Sequence, residues 1–294
     1  LHAHLFKSDM LAVIVKKLFN RKIVLLSTKH GYEEKYCSNY HRYNGRIHYN
    51  LYYFILLAGK WVLTGRKDLR YYAMERLANM FNPHFHFTEF GQVWRDDKEF
   101  EKYYVGFEGD NFHSLDRKYT VNQFLHLVKN IPGDTVECGS FTGGTSYLIC
   151  QSIATNKLAK KHHIFDSFEG LSKPAPEDGP YWKQGDLTTS EDVCRNNLSK
   201  FDFVQYYKGW IPDRFSEVND IRFSFVHVDV DLYQPTYDSI AYFYERLHKG
   251  GIIMCDDYGF YSCEGAKKAM DDFFRDKKES VVMLTTGQSF IIKE

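Results

Sequence analysis

The sequence predicts an α/β fold: a mainly parallel sheet that ends in an antiparallel hairpin and follows a helical N-terminal extension. Three observations carry this. After residue 120, short apolar runs of strand length alternate with segments of helix length, which implies a parallel sheet with right-handed crossovers. The last two apolar runs, 281–285 and 289–292, are joined by Thr286-Gly287-Gln288 alone, too short for a crossover, so they pair antiparallel. Residues 1–118 show no such alternation and are rich in Tyr, Phe, His and Arg.

Within the extension, 51–63 and 69–80 read as helices, the second with an apolar face at Tyr72, Met74, Leu77 and Met80. Residues 81–109, with Asn82-Pro83 and many aromatics, read as loop. The extension is expected to be a helical cap and oligomer contact; a substrate lid from the same residues is compatible with that. The second domain, 119–294, opens with a helix at 121–129 that Ile131-Pro132-Gly133 stops. Strand 135–138, helix 145–155 and strand 163–166 follow, then a loop of Gly, Pro and acidic residues through Gly185. Thr189-Ser190 offers an N-cap for helix 191–200. Strand 204–207, a short helix at 212–218, strand 223–230 and helix 235–248 come next. Gly250-Gly251 is expected to end that helix, with His248 capping its carbonyls, ahead of strand 252–255 and helix 265–275. Five parallel strands closed by such a hairpin resemble the class I S-adenosylmethionine (SAM) methyltransferase sheet, which is Rossmann-like; a dinucleotide-binding dehydrogenase would continue with βαβ units.

Composition narrows the partners. Acidic and basic residues balance at 38 each, so no overall charge draws the chain to nucleic acid or anionic lipid. None of the six cysteines forms a CxxC pair, and Cys138 and Cys255 fall inside apolar strands as small core residues. A reducing, cytoplasmic compartment is expected. Lys16, Lys17, Arg21 and Lys22 interrupt the apolar runs of 10–27, and 51–57 is too short to span a bilayer. No transmembrane segment or signal peptide is expected.

The candidate cofactor cradle is 136–144, Val-Glu-Cys-Gly-Ser-Phe-Thr-Gly-Gly, at a strand end just before a helix. Gly139, Ser140, Gly143 and Thr145 allow backbone amides to approach a ligand, and the helix N-terminus favours a carboxylate such as that of SAM. Glu137 is then expected to accept from the ligand's ammonium group. The spacing is not GxGxxG and no GK[ST] follows, which disfavours phosphate binding. The second strand ends in Asp166-Ser167, where the acid lies beside the cradle and can take both ribose hydroxyls. The third ends in Lys208-Gly209-Trp210, at the level of an adenine ring; Trp210 stacks on it or fills core, and both readings stand.

Strand four ends in Asp229-Val230-Asp231 and strand five in Asp256-Asp257. Four carboxylates at the ends of neighbouring strands are costly unless a cation or protons compensate. Oxygen donors select a hard cation, Mg²⁺ over zinc, for Asp229, Asp256 and Asp257. Asp231, two positions from Asp229 on the same side of a strand, is the candidate base for the hydroxyl to be methylated. His227 reads as a satisfied structural histidine.

The chain resembles the macrocin O-methyltransferase (TylF/MycF-type) family over 117–294. The resemblance rests on Pro132-Gly133-Asp134-Thr135-Val136-Glu137-Cys138-Gly139, Asp166-Ser167-Phe168-Glu169-Gly170-Leu171, Lys208-Gly209-Trp210-Ile211-Pro212-Asp213, Asp229-Val230-Asp231-Leu232-Tyr233 with Thr236, and Gly250-Gly251 leading into Asp256-Asp257-Tyr258-Gly259. It departs at Val230, usually Gly, and at Phe141-Thr142, usually Trp-Arg. The resemblance implies Mg²⁺-dependent methyl transfer from SAM to a sugar hydroxyl of a secondary metabolite or surface glycan. It implies a metal on Asp229, Asp256 and Asp257, Asp231 as base, and homo-oligomers formed through the N-terminal part. Two competing readings are a catechol-like small-molecule methyltransferase and a non-catalytic scaffold that keeps the fold; SAM titration separates the scaffold from either enzyme.

Overall fold

The computed structural model describes residues 39–81, 97–107, 109 and 115–294; the segment 10–27, Cys37 and Asn82-Pro83 lie outside the described residues. The chain divides into two compact units between Gly91 and Gln92. In the first, α1 (Asn39–Thr64) and α2 (Lys67–Ala78) pack side by side. Gly65, at φ +66, turns the chain between them and donates its N–H to the Trp61 carbonyl at 2.8 Å. Ala73 and Asn79 are buried, whereas Tyr72 and Met74 are exposed, so the expected apolar face is not the buried one. Tyr72 and Met74 sit about 100° to either side of Ala73 on a helix, and burying Ala73 turns both outward.

The second unit is a seven-stranded sheet ordered β3-β2-β1-β4-β5-β7-β6. Its strands are β1 (Asp134–Cys138), β2 (His162–Asp166), β3 (Val204–Lys208), β4 (Phe223–Val228), β5 (Leu247–Cys255), β6 (Val282–Met283) and β7 (Ser289–Ile292). The first five run parallel, and β7 lies antiparallel to both β5 and β6. Alternation sorts the strand side chains into two apolar layers. Val136, Cys138, Val226, Val228 and Ile253 face the helices α7 (Tyr233–Tyr244) and α8 (Glu264–Phe274). Ile164, Phe225, Ile252 and Met254 face α3 (Lys98–Gly106), α4 (Leu115–Val128), α5 (Gly144–Thr155) and α6 (Glu191–Asn197).

Several boundaries differ from expectation. Part of the expected loop 81–109 is α3, started by the Asp97 carboxylate, which accepts from Glu99 N and Phe100 N at 3.0 Å each. Phe100 and Tyr103 are fully buried, Tyr103 against Tyr147 of α5, so the second unit reaches back before residue 119. Helix α7 stops at Tyr244, and β5 begins at Leu247, opposite Phe223. Gly250-Gly251 therefore lie inside a strand, beside a register shift, and His248 is a strand residue with no helix to cap. Ser190 does cap α6, accepting from Val193 N at 3.3 Å. Among the described residues no helix is long and apolar enough to cross a membrane.

Candidate functional site

The crossovers from β1 and β4 leave in opposite directions, which opens a crevice at their carboxyl ends. There the structure forms a cleft of about 300 Å³. Gly139, Asp166, Ser167 and Trp210 line one side of it, and Asp229, Asp231 and Asp257 the other.

Gly139, at φ +80, makes the cradle possible. A Cβ on it would stand 1.8 Å from the carbonyl oxygen of Asp229, so only glycine lets the end of β1 lie this close to β4. Asp166 ties the next residues down: one carboxylate oxygen accepts from Ser140 N at 2.7 Å and Phe141 N at 2.9 Å, the other from Phe168 N at 2.7 Å. Burial pushes its pKa up despite those bonds. Asp166 thus shapes the cradle loop as well as facing the cleft. Ser140, Gly143, Thr145 and Gly209 are not on the cleft wall; Gly143 is the left-handed cap residue of α5, and Thr145 accepts a hydrogen bond from Lys118.

Glu137, the expected partner of a ligand ammonium, is not on the wall either. Val136 and Cys138 point to the α7 side, so Glu137 points to the α4/α5 side. There it is fully buried, with one carboxylate oxygen 3.1 Å from His227 Nδ1 and the other accepting from Ser146. His227 Nε2 lies 3.3 Å from Asp256 Oδ1. Burial pulls the His227 pKa down, but its bonds to Asp256 and Glu137 prevail and hold it up at about 9.

The aspartates do converge. Oxygens of Asp229, Asp256 and Asp257 lie within 4.8 Å of one another. Asp231 joins them by a route other than strand alternation, because β4 ends at Val228. Asp231 instead centres a three-residue turn, at φ +58, closed by Leu232 N donating to Val230 O at 2.6 Å. Its N–H donates to Asp257 Oδ2 at 3.1 Å, and the Cys263 thiol donates to its Oδ1 at 3.3 Å. Burial, and then the Asp229 charge, push the Asp231 pKa up to about 7. Burial, and then the charges of Asp231, Asp229 and Asp256, push Asp257 well above the usual carboxylate range.

Sequence reasoning missed four residues. Arg117 donates to the Asp256 carboxylate and, at 3.0 Å, to its carbonyl, and lies 3.8 Å from Asp257. Lys118 is wholly buried beneath the cradle. Gln288 donates to Asp256 Oδ1 at 2.5 Å, and Cys263 holds Asp231. One signal was present: Arg117 and Lys118 stand in the first turns of α4, where the helix dipole disfavours cations that lack a partner. The expected domain boundary after residue 118 separated both from the site.

The donor set fits a divalent cation. Five carboxylates, counting Glu137, gather with three basic side chains, Arg117, Lys118 and His227, an excess of acid that a cation or protons must offset, and the raised pKa values of Asp231 and Asp257 express that demand. All donors of the Asp229–Asp256–Asp257 group are carboxylate oxygens, the chemistry of a hard cation.

Comparison with known proteins agrees with this layout. The model of a family described as Macrocin-O-methyltransferase (TylF) matches residues 118–285. The chain is 28% identical over 152 residues to 8-demethyl-8-(2,3-dimethoxy-alpha-L-rhamnosyl)-tetracenomycin-C 4'-O-methyltransferase of Streptomyces olivaceus, covering 48% of this chain and 58% of that protein. It is 28% identical over 163 residues to demethyldecarbamoylnovobiocin O-methyltransferase of Streptomyces niveus, covering 50% and 60%. The match thus spans less than two thirds of either relative. Among solved structures, the O-methyltransferase NovP superposes with a TM-score of 0.53 at 24% identity, over 62% of this chain and 83% of that one. The calicheamicin methyltransferase CalS11 gives 0.54 at 18%, over 62% and 80%. What these structures share with the chain is the fold, the class I SAM-dependent methyltransferase sheet. By the match over 118–285, this chain belongs to the macrocin-O-methyltransferase family.

Proposed function

We propose that this chain is a SAM-dependent O-methyltransferase that methylates a hydroxyl of a sugar, carried by a glycosylated metabolite or a surface glycan, with Mg²⁺ at Asp229, Asp256 and Asp257. The observation that carries the reading is that the carboxylates ending β4 and β5 open onto the same cleft that Gly139 and Asp166 line. The name of the Streptomyces olivaceus relative, a 4'-O-methyltransferase of a rhamnosyl compound, supports a sugar acceptor.

SAM supplies a methyl group on a sulfonium, and Mg²⁺ supplies Lewis acidity that lowers the pKa of a hydroxyl. Asp231 takes the hydroxyl proton on its carboxylate, whose proton affinity near neutral pH suits a general base. The Cys263 thiol occupies Oδ1, which leaves Oδ2 as the oxygen for that proton. Asp166 and the amides it holds keep the cradle open for ribose hydroxyls, and Trp210 offers a ring to adenine. Gln288 and His227 fix the Asp256 carboxylate from behind. The unit before Gln92 serves as oligomer contact or lid in this reading, supported by exposed Val62, Leu63, Tyr72 and Met74. The five cysteines among the described residues are buried and free, which suits a reducing, cytoplasmic setting.

The test is methyl transfer from labelled SAM to a panel of sugar nucleotides and glycosylated metabolites, with Mg²⁺ or with chelator. SAM binding and Mg²⁺-dependent labelling of a sugar are expected. Full turnover in excess chelator removes the metal from the reading, and absence of SAM binding removes the enzyme.

A further inference from the structure

We propose that Arg117 is a resident competitor for the cation site: its guanidinium holds the Asp256 and Asp257 carboxylates until a divalent cation displaces it. The proposal rests on the reading that Asp229, Asp256 and Asp257 bind that cation. Arg117 Nη2 donates to both the carboxylate and the carbonyl of Asp256 and lies 3.8 Å from Asp257 Oδ1. Those two aspartates supply two of the three members of the group whose oxygens gather within 4.8 Å. A cation there and a guanidinium on the same carboxylates repel each other at short range, with little solvent between them.

Two further features suit a side chain that can leave. Arg117 lines the open cleft and keeps 14% of its side-chain surface exposed, so a path outward exists. Its Nε is buried without a hydrogen-bond partner, so this resting position does not satisfy the whole guanidinium. The Phe260 ring, 4.5 Å from the guanidinium carbon, backs it by a cation–π contact at the cleft rather than a fixed ion pair. Lys118, the next residue, is a contrast: wholly buried and bonded to Thr145, it has no comparable route. Arg117 therefore sets a threshold for metal loading and keeps the aspartates together before it.

The test is Mn²⁺ titration of the full chain, stripped with chelator and free of SAM and acceptor, followed by the loss of the free-ion EPR signal. Arg117→Gln should bind Mn²⁺ at least tenfold more tightly than the wild type, and Arg117→Lys, which keeps charge but not the fork, should fall between. Melting temperature in chelator should drop for Arg117→Gln and rise on adding Mn²⁺ by more than in the wild type. Asp257→Asn should bind at least tenfold more weakly. If Arg117→Gln and Arg117→Lys bind no more tightly while Asp257→Asn still loses affinity, the competition is wrong and the metal site stands. If the wild type and Asp257→Asn behave alike, the metal reading falls and the proposal with it.

Discussion

His227 stands between two carboxylates, with Nε2 3.3 Å from Asp256 and Nδ1 3.1 Å from Glu137, and it is fully buried. This contact ties β1 beneath the cradle to β5 beneath the acidic group. His227→Leu leaves both carboxylates short of a partner and should cost about 3–5 kcal/mol, the usual result of breaking a buried ion pair from one side. Calorimetry should show a melting temperature lower by roughly 10 °C. A change within error would mean that solvent or Gln288 already satisfies Asp256.

Two buried histidines in this layer titrate in opposite directions. Burial, and then the charges of His163 and His227, pull His162 from 6.5 down to about 3. It folds neutral, so its contribution is complete above pH 6.5 and is lost as pH falls below that value, where the unfolded chain takes the proton first. His227, held at about 9, contributes fully below pH 6.5, and that stability is lost as pH rises through 9. Denaturant titrations from pH 4 to pH 9.5 should therefore give a shallower acid limb for His162→Gln and a shallower alkaline limb for His227→Gln. Curves parallel to the wild type would reject the assignment.

Asp231→Asn keeps the shape of the turn but removes the proton acceptor. Turnover should fall by about 10²–10⁴-fold, the ordinary weight of a general base. SAM affinity measured by calorimetry should stay within a factor of about three, since the side chain accepts from Cys263 and lies beside Asp257, not on the cradle loop. Undiminished turnover would remove Asp231 from the chemistry.

The two left-handed glycines of the cradle should differ in tolerance. At Gly139 a methyl would meet a backbone carbonyl at 1.8 Å that cannot yield, so Gly139→Ala should abolish the folded protein or its SAM binding. At Gly143 (φ +90) the nearest atoms, Cys194 Sγ at 3.2 Å and Leu198 Cδ1 at 3.4 Å, belong to side chains. Gly143→Ala should cost only about 1–2 kcal/mol from its backbone conformation. Thermal melts of both variants, with and without SAM, decide this; equal losses would contradict it.

Much of this was legible where local chemistry decides. The four aspartates stood out because two apolar runs end in paired acids, and the final hairpin because Thr286-Gly287-Gln288 leaves no room for a crossover. The inward turn of Glu137 was also legible, since Val136 and Cys138 flank it on a strand, but the sought ligand contact outweighed the alternation. Other features depend on packing between distant segments. Nothing near Leu247 says that Phe223 will draw it into the sheet, and a left-handed Asp231 is indistinguishable in sequence from an extended one. Arg117 and Gln288 meet at Asp256 from opposite ends of the second unit, a meeting that only the folded sheet creates.

Strand β7, formed by residues 289–292, lies inside the sheet between β5 and β6. On the ribosome, β5 therefore waits with one hydrogen-bonding edge bare until almost the whole unit has emerged. Over that interval Asp256 lacks Gln288, and the nascent chain offers an open strand to any neighbour. Synthesis that stalls or stops a few residues before Ser289 should yield aggregates or a chaperone client rather than a weakened fold.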